Sequence, residues 1–305
     1  RQRQMCIRDR QTVKINFPTA GASGALYAVG AAITNMWSNN VPGVQAASQA
    51  SAGGIANLNM VSDGEAQVSI AISSNVYQCL NGTDSFKDHP YKDLKAIAGL
   101  YMNPNQVVVT AKSGIQTLAD VKGKRFAVAS AGSSVYNESN AHFTAAGLKF
   151  PDDIQAEYIT FTDAADMLQN GSIDGAWIMS GAPASAVTQA LTGGARLVDI
   201  DDQLVKELKA KYPWYASYTI KAGTYPNQDR DVRTTAVKMV MFTRGDMPED
   251  VVYNLTKTFW EHIDELGQAQ KNLKGLKPED AVKDIAGVPL HPGAERYYRE
   301  IGVLK

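Results

Sequence analysis

Small polar residues and glycines recur in short loops, each between a predicted strand and the helix that follows it. Their hydroxyl and backbone N–H groups can donate hydrogen bonds to an anion. In open α/β sheets, ligands bind outside the carboxyl ends of the strands. Helix N-termini at that edge also present unpaired N–H groups and partial positive charge, which suit a carboxylate. These residue types therefore predict a site that binds a carboxylate.

Five such loops are predicted, namely Thr19–Ser23, Ser48–Gly54, Ser73–Asn75, Ser130–Ser134 and Ser180–Pro183. The expected ligand contacts from them are Thr19, Ala20, Gly21, Ser23, Ser51, Gly53, Ser73, Ser74, Asn75, Ser130, Gly132, Ser133, Ser134, Ser180, Gly181 and Pro183. Serine is also a favoured helix N-cap, so any one loop is equally consistent with capping alone. Five loops in two parts of the chain favour a shared ligand cleft.

Three tyrosines are further candidates for ligand contact. Tyr27 and Tyr136 lie in the first helical turn after their loops, where a side chain could close over a ligand. Packing between lobes is an equally consistent role for these two rings. Tyr225 lies in the unusually aromatic run "WYASYTIKAGTYPNQD" and is the third candidate.

The elements that must carry these loops follow an α/β pattern. "TVKINF" alternates apolar and polar residues like a strand, and Leu26, Val29, Ile33 and Trp37 recur at helical spacing. The pattern continues as βαβαβ, which is typical of a parallel sheet covered by helices. Two strands separated by "MNPN" are then predicted. Further on, "GDMPEDVVYNLTKTFWEHIDEL" predicts a long helix with Asp246 as its N-cap.

The α/β pattern restarts after "GIQTLADVKGK". "MVSDGEAQVSIAISS" aligns with "MLQNGSIDGAWIMSG" at an offset of 107 residues, which predicts two structurally similar units. Lobe I is expected to contain residues 12–105 and 226–305, and lobe II residues 106–225. Two crossings between lobes make a hinge, and hinge closure around a ligand is a recognised motion for such a design.

Composition and missing motifs exclude several function classes. The 305 residues contain 30 basic and 31 acidic side chains, which leaves no electrostatic footprint for nucleic acid. No phosphate-loop, dinucleotide or nucleophile-elbow signature occurs. The four histidines, at 89, 142, 262 and 291, are expected at the surface or as helix caps. We expect no metal, no cofactor and no catalytic residue, and we expect Cys79 to be a buried apolar residue.

Residues 1–11 form a separate, charged start. "MCIRDR" resembles the translation of a sequencing adapter, so this segment is predicted to be non-native, and Cys6 is set aside. A genuine disordered basic tail is the alternative. The first thirty residues lack the apolar core of a secretory signal, and a missing or truncated signal peptide is expected.

The longer blocks resemble a known family. "FPTAGASGALYAVGAAITNMWSNNVPGVQAASQASAGGIANL" is similar to the opening of the solute receptors of the TAXI class of TRAP transporters. "SDGEAQVSIAISSNVY", "GIQTLADVKGKRFAVASAGSSV", "NGSIDGAWIMSGAP" and "IKAGTYPNQDRDVRTTAV" match later family blocks in order. The likeness extends from Thr12 to the C-terminus.

This resemblance implies a type II periplasmic-binding-protein fold, with two α/β lobes, a two-strand hinge and a ligand cleft. It implies a monomeric receptor outside the cytoplasmic membrane, either periplasmic or membrane-anchored in a Gram-positive host. The receptor would deliver glutamate, glutamine or a 2-oxo-dicarboxylate to a TRAP permease with fused small and large subunits. Asn75 stands where the family often has aspartate, a natural partner for a ligand ammonium, which favours a non-amino carboxylate.

Two other functions are consistent with the sequence. The first is the receptor of an ATP-driven importer, or a sensor input domain with the same fold. The second is an enzyme on that fold, which would need a cofactor-bearing cysteine or a charged catalytic set. The strand-end loops offer serines and glycines instead, so we expect a binding protein.

Overall fold

The computed structural model describes residues 12–22 and 25–305, and the chain divides into two compact units. The first unit contains the described residues up to Leu100 together with Val240–Lys305. The second unit contains Tyr101–Met239. The predictions for residues 1–11 and for Ser23 fall outside the described residues.

Strands and helices alternate along most of the chain. The strands are β1 Val13–Pro18, β2 Val44–Gln49, β3 Val68–Ile72, β4 Leu94–Val109, β5 Arg125–Ala127, β6 Gln155–Glu157, β7 Gly175–Met179, β8 Arg196–Val198, β9 Ala216–Ile220 and β10 Val232–Arg244. The helices are α1 Ala25–Asn40, α2 Gly54–Ser62, α3 Ser73–Asn81, α4 Ser134–Ala145, α5 Phe161–Asn170, α6 Ser185–Thr192, α7 Asp202–Lys211, α8 Glu249–Glu261, α9 Ile263–Ala269, α10 Pro278–Ala281 and α11 Pro292–Glu300. The chain passes between the units within β4 and within β10.

The first unit is built on the strand–helix alternation that the sequence predicts. Strand β1 pairs in parallel with β2, and the backbone N–H of Gln67, just before β3, donates to the Asn16 carbonyl at 3.3 Å. The sheet order continues from β3 to β10 and β4. Helix α1 buries its predicted apolar face, and the Trp37 indole donates to the Leu255 carbonyl at 3.0 Å, which fixes α1 against α8.

The second unit repeats the same order of elements. Strand β5 pairs in parallel with β6 and with β7, and β7 pairs antiparallel with β4. The spatial order of strands in the second unit is therefore β6, β5, β7, β4. The corresponding order in the first unit is β2, β1, β3, β10. An apolar cluster that includes Val108, Leu168, Ile178 and Val187 forms its core. This shared topology agrees with the predicted restart of the pattern.

Strand β4 is longer than the sequence predicts. The expected interruption at "MNPN" is wrong, because residues 94–109 form one continuous strand. The polar residues of that stretch are accommodated by side-chain partners. The Asn103 amide lies 3.1 Å from the Met239 sulfur, and the Asn105 amide donates to Thr235 at 3.0 Å.

Two further expectations are corrected. Asp246 does not cap α8, because its carboxylate binds the Arg244 guanidinium at 3.0 Å and Pro248 occupies the N-cap position. His142 is neither a surface residue nor a cap, because it is fully buried and both ring nitrogens have partners. His291 does cap a helix, since its Nδ1 accepts from the Gly293 N–H at 3.1 Å.

Gly30 lets helix α1 approach the ends of β1 and β2. A Cβ at this position would lie 2.4 Å from the Thr19 methyl carbon and 3.0 Å from the Ser48 hydroxyl. We expect Gly30→Ala to lower the free energy of unfolding by about 1 kcal/mol, because overpacking of about 1–3 kcal/mol outweighs the roughly 1 kcal/mol gain in helix propensity. Urea denaturation measures the change.

Gly21→Ala is the matched control, since a Cβ there meets no atom within 4 Å. Its unfolding midpoint should stay close to that of the wild type. A Gly30→Ala protein more stable than the wild type would contradict the close packing of α1.

Candidate functional site

The loops that follow β1 and β2 are tied together by hydrogen bonds. The Thr19 backbone N–H and hydroxyl both donate to the Gln49 carbonyl, at 3.0 and 2.9 Å. The Ser51 N–H donates to the Ala20 carbonyl at 3.0 Å. Thr19 is fully buried, and its hydroxyl proton is already donated to the Gln49 carbonyl within the first unit. Gly21, in the same loop, is exposed.

Asn57, in the first turns of α2, joins the segments that follow β1 and β2 to the middle of β3. Its amide nitrogen donates to the Thr19 carbonyl at 2.8 Å and to the Ile70 carbonyl at 3.1 Å. Its amide oxygen accepts from the Ser51 hydroxyl at 2.5 Å. The residue is fully buried. Asn57 therefore positions two of the predicted ligand loops, and sequence reasoning missed it.

Ser73, Ser74 and Asn75 do not form a loop. They are the buried first turn of α3, which begins directly after β3, so the expectation of a loop there is wrong. The Asn75 amide donates to the Gln78 side chain at 3.2 Å. Helix α3 can begin at once because its first residues are small or polar and Ile72 keeps an extended backbone.

Helices α2 and α3 both begin without a side-chain cap. Gly53 precedes α2 with φ of 101°, a conformation that glycine adopts without strain, and Ile72 precedes α3. Neither residue supplies a side-chain oxygen to the first helical turn. The start of α2 also lies close to that of α3, because a Cβ on Gly54 would be 3.3 Å from the Asn75 amide oxygen.

The corresponding loop of the second unit lies between β5 and α4. Ser130 and Gly132 are exposed, while Ser133 and Ser134 are half-buried. Ser133 caps α4, because its hydroxyl oxygen accepts from the Tyr136 N–H at 3.2 Å. Ala129, just before the loop, has φ of 63°, a left-handed conformation that costs a non-glycine residue about 1–2 kcal/mol. Such strain concentrates at functional loops.

The candidate tyrosines have different surroundings. The Tyr136 ring packs on Phe150, with ring centroids 4.9 Å apart, and lies 6.2 Å from Tyr158. Tyr27 is half-buried, and its backbone carbonyl lies 3.5 Å from the Ser48 hydroxyl. Tyr136 therefore packs within its own unit.

Tyr225 holds the loop that follows β7. Its buried hydroxyl accepts from the Ala184 N–H at 2.9 Å and donates to the Gln106 amide oxygen. The Gln106 amide nitrogen donates to the Ser180 carbonyl at 2.9 Å. Burial raises the pKa of Tyr225 to about 12, so the hydroxyl stays protonated. Tyr225 thus positions the segment that contains Ser180, Gly181 and Pro183.

A family model described as the NMT1-like family matches residues 17–302. The chain belongs to the NMT1-like family.

Three solved structures share the fold of this NMT1-like protein. The periplasmic aliphatic sulphonate-binding protein SsuA of Escherichia coli is 16% identical, with 95% of this chain and 88% of that chain covered and a TM-score of 0.51. XAC2383 of Xanthomonas citri, bound to ATP, is 13% identical over 95% and 96% of the chains, with a TM-score of 0.55. An ancestral arginine-binding protein bound to arginine is 15% identical over 86% and 98%, with a TM-score of 0.50.

These likenesses confirm the predicted fold class, that of the two-lobed periplasmic binding proteins. The identities are low, so each neighbour is evidence of fold and its ligand belongs to that neighbour alone. In the described part of the NMT1-like chain, no three His, Cys, Asp or Glu side chains are grouped to hold a metal ion. None of its described helices combines the length and apolar character that a membrane span needs.

The strand-end segments carry groups that are chemically suited to binding an anion. The strand-end segments of the NMT1-like protein present hydroxyls, backbone N–H groups and glycines, and buried amides hold them in place. Neutral donors of this kind can surround an anion without a buried countercharge.

Proposed function

We propose that this NMT1-like protein is the extracytoplasmic solute-binding receptor of a TRAP-type, ion-driven transporter. It captures a small carboxylate by lobe closure and delivers it to a membrane permease with fused small and large subunits. In this role the protein binds its ligand without turnover and acts as a monomer, either in the periplasm or, in a Gram-positive host, anchored to the outer face of the cytoplasmic membrane.

The start of α2, which has no side-chain cap, carries this proposal. Side-chain oxygens usually accept hydrogen bonds from the first N–H groups of a helix, and Gly53 supplies none. A ligand carboxylate can take that place, where the helix dipole also favours negative charge. Asn57 holds the neighbouring loop residues Thr19 and Ser51, so the segments around this helix start are fixed in advance.

The TRAP assignment and the carboxylate class rest on the ordered sequence blocks that resemble TAXI receptors. Glutamate, glutamine and a 2-oxo-dicarboxylate are the ligands that this resemblance favours. Asn75 offers an amide where an aspartate could pair with a ligand ammonium. Among the three ligands, the 2-oxo-dicarboxylate is therefore preferred.

The receptor of an ATP-driven importer is the second candidate. The fold neighbours include proteins described as sulphonate-binding, and one is described as belonging to a sulfonate ABC transporter. Uptake by proteoliposomes that contain the partner permease separates the two candidates. Uptake that needs an ion gradient and no ATP supports the TRAP proposal, while strict dependence on an ATPase subunit replaces it with the second candidate.

A thermal-shift panel tests the ligand class directly. It should contain 2-oxoglutarate, glutamate, glutamine, arginine and an alkanesulfonate, each at 1 mM. A ligand present at about 1,000 times its Kd stabilises the folded state by about 4 kcal/mol, which raises Tm by several degrees. We expect the largest rise with 2-oxoglutarate. A rise with the sulfonate alone would contradict the carboxylate proposal, and turnover of a bound ligand would contradict the non-enzymatic role.

Ser134 provides a test of the site in the second unit. We expect Ser134→Ala to weaken binding of the panel ligand by about 1 kcal/mol or more, because a hydroxyl donor to an anion is lost. Isothermal titration calorimetry measures the change. Ser185, exposed at the start of α6, gives the matched control, and Ser185→Ala should leave Kd unchanged. Equal Kd values for the wild type and Ser134→Ala would remove Ser134 from the site.

A further inference from the structure

A closed group of buried polar residues joins α4 to β4 and β10. It consists of Asn105 on β4, Thr235 on β10, and Glu138 and His142 on α4, and each is at least 97% buried. Glu138 and His142 follow Ser134 by one and two helical turns, so all three share one helix face. The proposed ligand loop Ser130–Ser134 thus leads directly into α4, and the helix face that begins at Ser134 carries Glu138 and His142.

The hydrogen bonds of the group fix the His142 tautomer. The Glu138 carbonyl lies 2.7 Å from Nδ1, and since a carbonyl can only accept, Nδ1 carries the proton. Nε2 then accepts from the Thr235 hydroxyl at 2.7 Å. The Thr235 oxygen in turn accepts from the Asn105 amide at 3.0 Å.

The same Asn105 amide also donates to the Glu138 carboxylate at 3.1 Å, so the bonds form a closed ring. The Trp177 indole donates to the Asn105 amide oxygen at 2.9 Å. Helix α4 is therefore fixed against β4 through the Glu138 carboxylate and against β10 through the His142 ring.

We infer that Glu138 and His142 are positioning residues for the ligand loop Ser130–Ser134. They hold helix α4, Glu138 in its second turn and His142 in its last, against two strands of the second unit, and with the helix the N–H groups and hydroxyls of the loop that precedes it. Only the final step, from loop geometry to ligand affinity, rests on the proposed function.

The ring requires a neutral His142. Burial lowers the pKa of His142 from 6.5 to about 4. The titratable groups that face it are Glu138 on its own helix and Tyr215, whose ring lies 5.3 Å away. The His142 ring also contacts Thr235 and Trp177, and Thr235 binds Asn105; none of these three side chains titrates. A second proton, at Nε2, would turn the Thr235 oxygen into the acceptor of this bond and leave the Thr235 hydroxyl proton without its acceptor.

Hydrogen exchange of the ligand-free protein tests the inference without any assumption about function. The reporters are the Tyr136 and Asn137 N–H groups, which donate to Ser133 at the start of α4. The Asp163 and Ala164 N–H groups, which donate to the Thr160 cap of α5, are internal controls. In His142→Leu at pH 7 we expect exchange to rise about tenfold or more at α4 relative to α5, because buried hydrogen bonds are lost.

His142→Gln is the conservative variant, since its amide oxygen can accept from Thr235 and it does not titrate. Its α4-to-α5 exchange ratio should stay near the wild-type value. Lowering the pH from 6 toward 4 should raise this ratio in the wild type and in the control His89→Gln, whose side chain is exposed, but not in His142→Gln. Equal increases at both helices in His142→Leu, or no increase at α4, would overturn the inference.

Affinity for 2-oxoglutarate at pH 7 completes the test. We expect Kd to rise about tenfold in His142→Leu and to recover in His142→Gln. Unchanged affinity in His142→Leu, with the wild type binding normally, would overturn the link to the ligand loop. If the wild type binds no ligand of the panel, the proposed function fails, and the exchange ratio still decides whether His142 positions the loop.

Discussion

Asn57→Leu is expected to lower the free energy of unfolding by about 3–5 kcal/mol, because three buried partners lose their hydrogen bonds at once. The Thr19 and Ile70 carbonyls lose a donor, and the Ser51 hydroxyl loses its acceptor. Water cannot replace the amide without opening the first unit, since Asn57 is fully buried. Chemical denaturation followed by circular dichroism measures the change.

Asn59 provides the control for this experiment. It lies on the same helix, two residues further on, and its side chain is exposed. Asn59→Leu should change the free energy of unfolding by less than about 0.5 kcal/mol, as is usual at the surface. Equal losses in the two variants would show that the helix, and not the hydrogen bonds of Asn57, limits stability.

Asn57→Asp separates the hydrogen bonds from the packing. The new carboxyl group would face the Thr19 and Ile70 carbonyl oxygens, so its pKa in the folded state should rise above the unfolded value near 4. A raised carboxyl pKa destabilises the folded state above the unfolded pKa, where the group must ionise on unfolding. The stability difference from the wild type should therefore grow as the pH rises from about 4 and then level off. A difference independent of pH would show that the site admits water.

The order of strands and helices follows from local patterns that a sequence displays. The alternation of Val13, Ile15 and Phe17 and the helical spacing of Val29, Ile33 and Trp37 each need only neighbouring residues to be recognised, and the structure agrees with both. The repeat of the pattern in two units is local information of the same kind. The break that was predicted at "MNPN" is wrong because the side-chain partners of Asn103 and Asn105 are 136 and 130 residues away.

The residues that position the candidate site are hidden for the same reason. Asn57 donates to a carbonyl 38 residues away, and Gln106 donates to one 74 residues away. Nothing local distinguishes such an amide from an exposed one. His142 and Glu138 had a weak signal, because their spacing of four residues places them on one face of α4 beside the apolar Phe143. Strand-end loops can thus be predicted from composition. The residues that hold these loops in place cannot, because their role depends on tertiary contacts.

Tyr225→Phe is expected to have the second large effect. It should lower the free energy of unfolding by about 2–4 kcal/mol. The variant keeps the ring and removes only the hydroxyl. Two buried groups then lose their partner, the Ala184 N–H and the Gln106 amide oxygen, and each unpaired group costs about 1–3 kcal/mol. Thermal and urea unfolding should both report the loss.

Tyr218→Phe is the matched control, since Tyr218 packs against the same apolar cluster as Tyr225 and is only partly buried. Removing its hydroxyl should change stability by less than about 0.5 kcal/mol. The effect of Tyr225→Phe should also reach the ligand. Because Gln106 holds the Ser180 carbonyl, a misplaced Gln106 would release the loop after β7, and Kd for the panel ligand should rise. A variant that loses stability but keeps wild-type affinity would leave Tyr225 as a support of the fold and take the Ser180 loop out of the site.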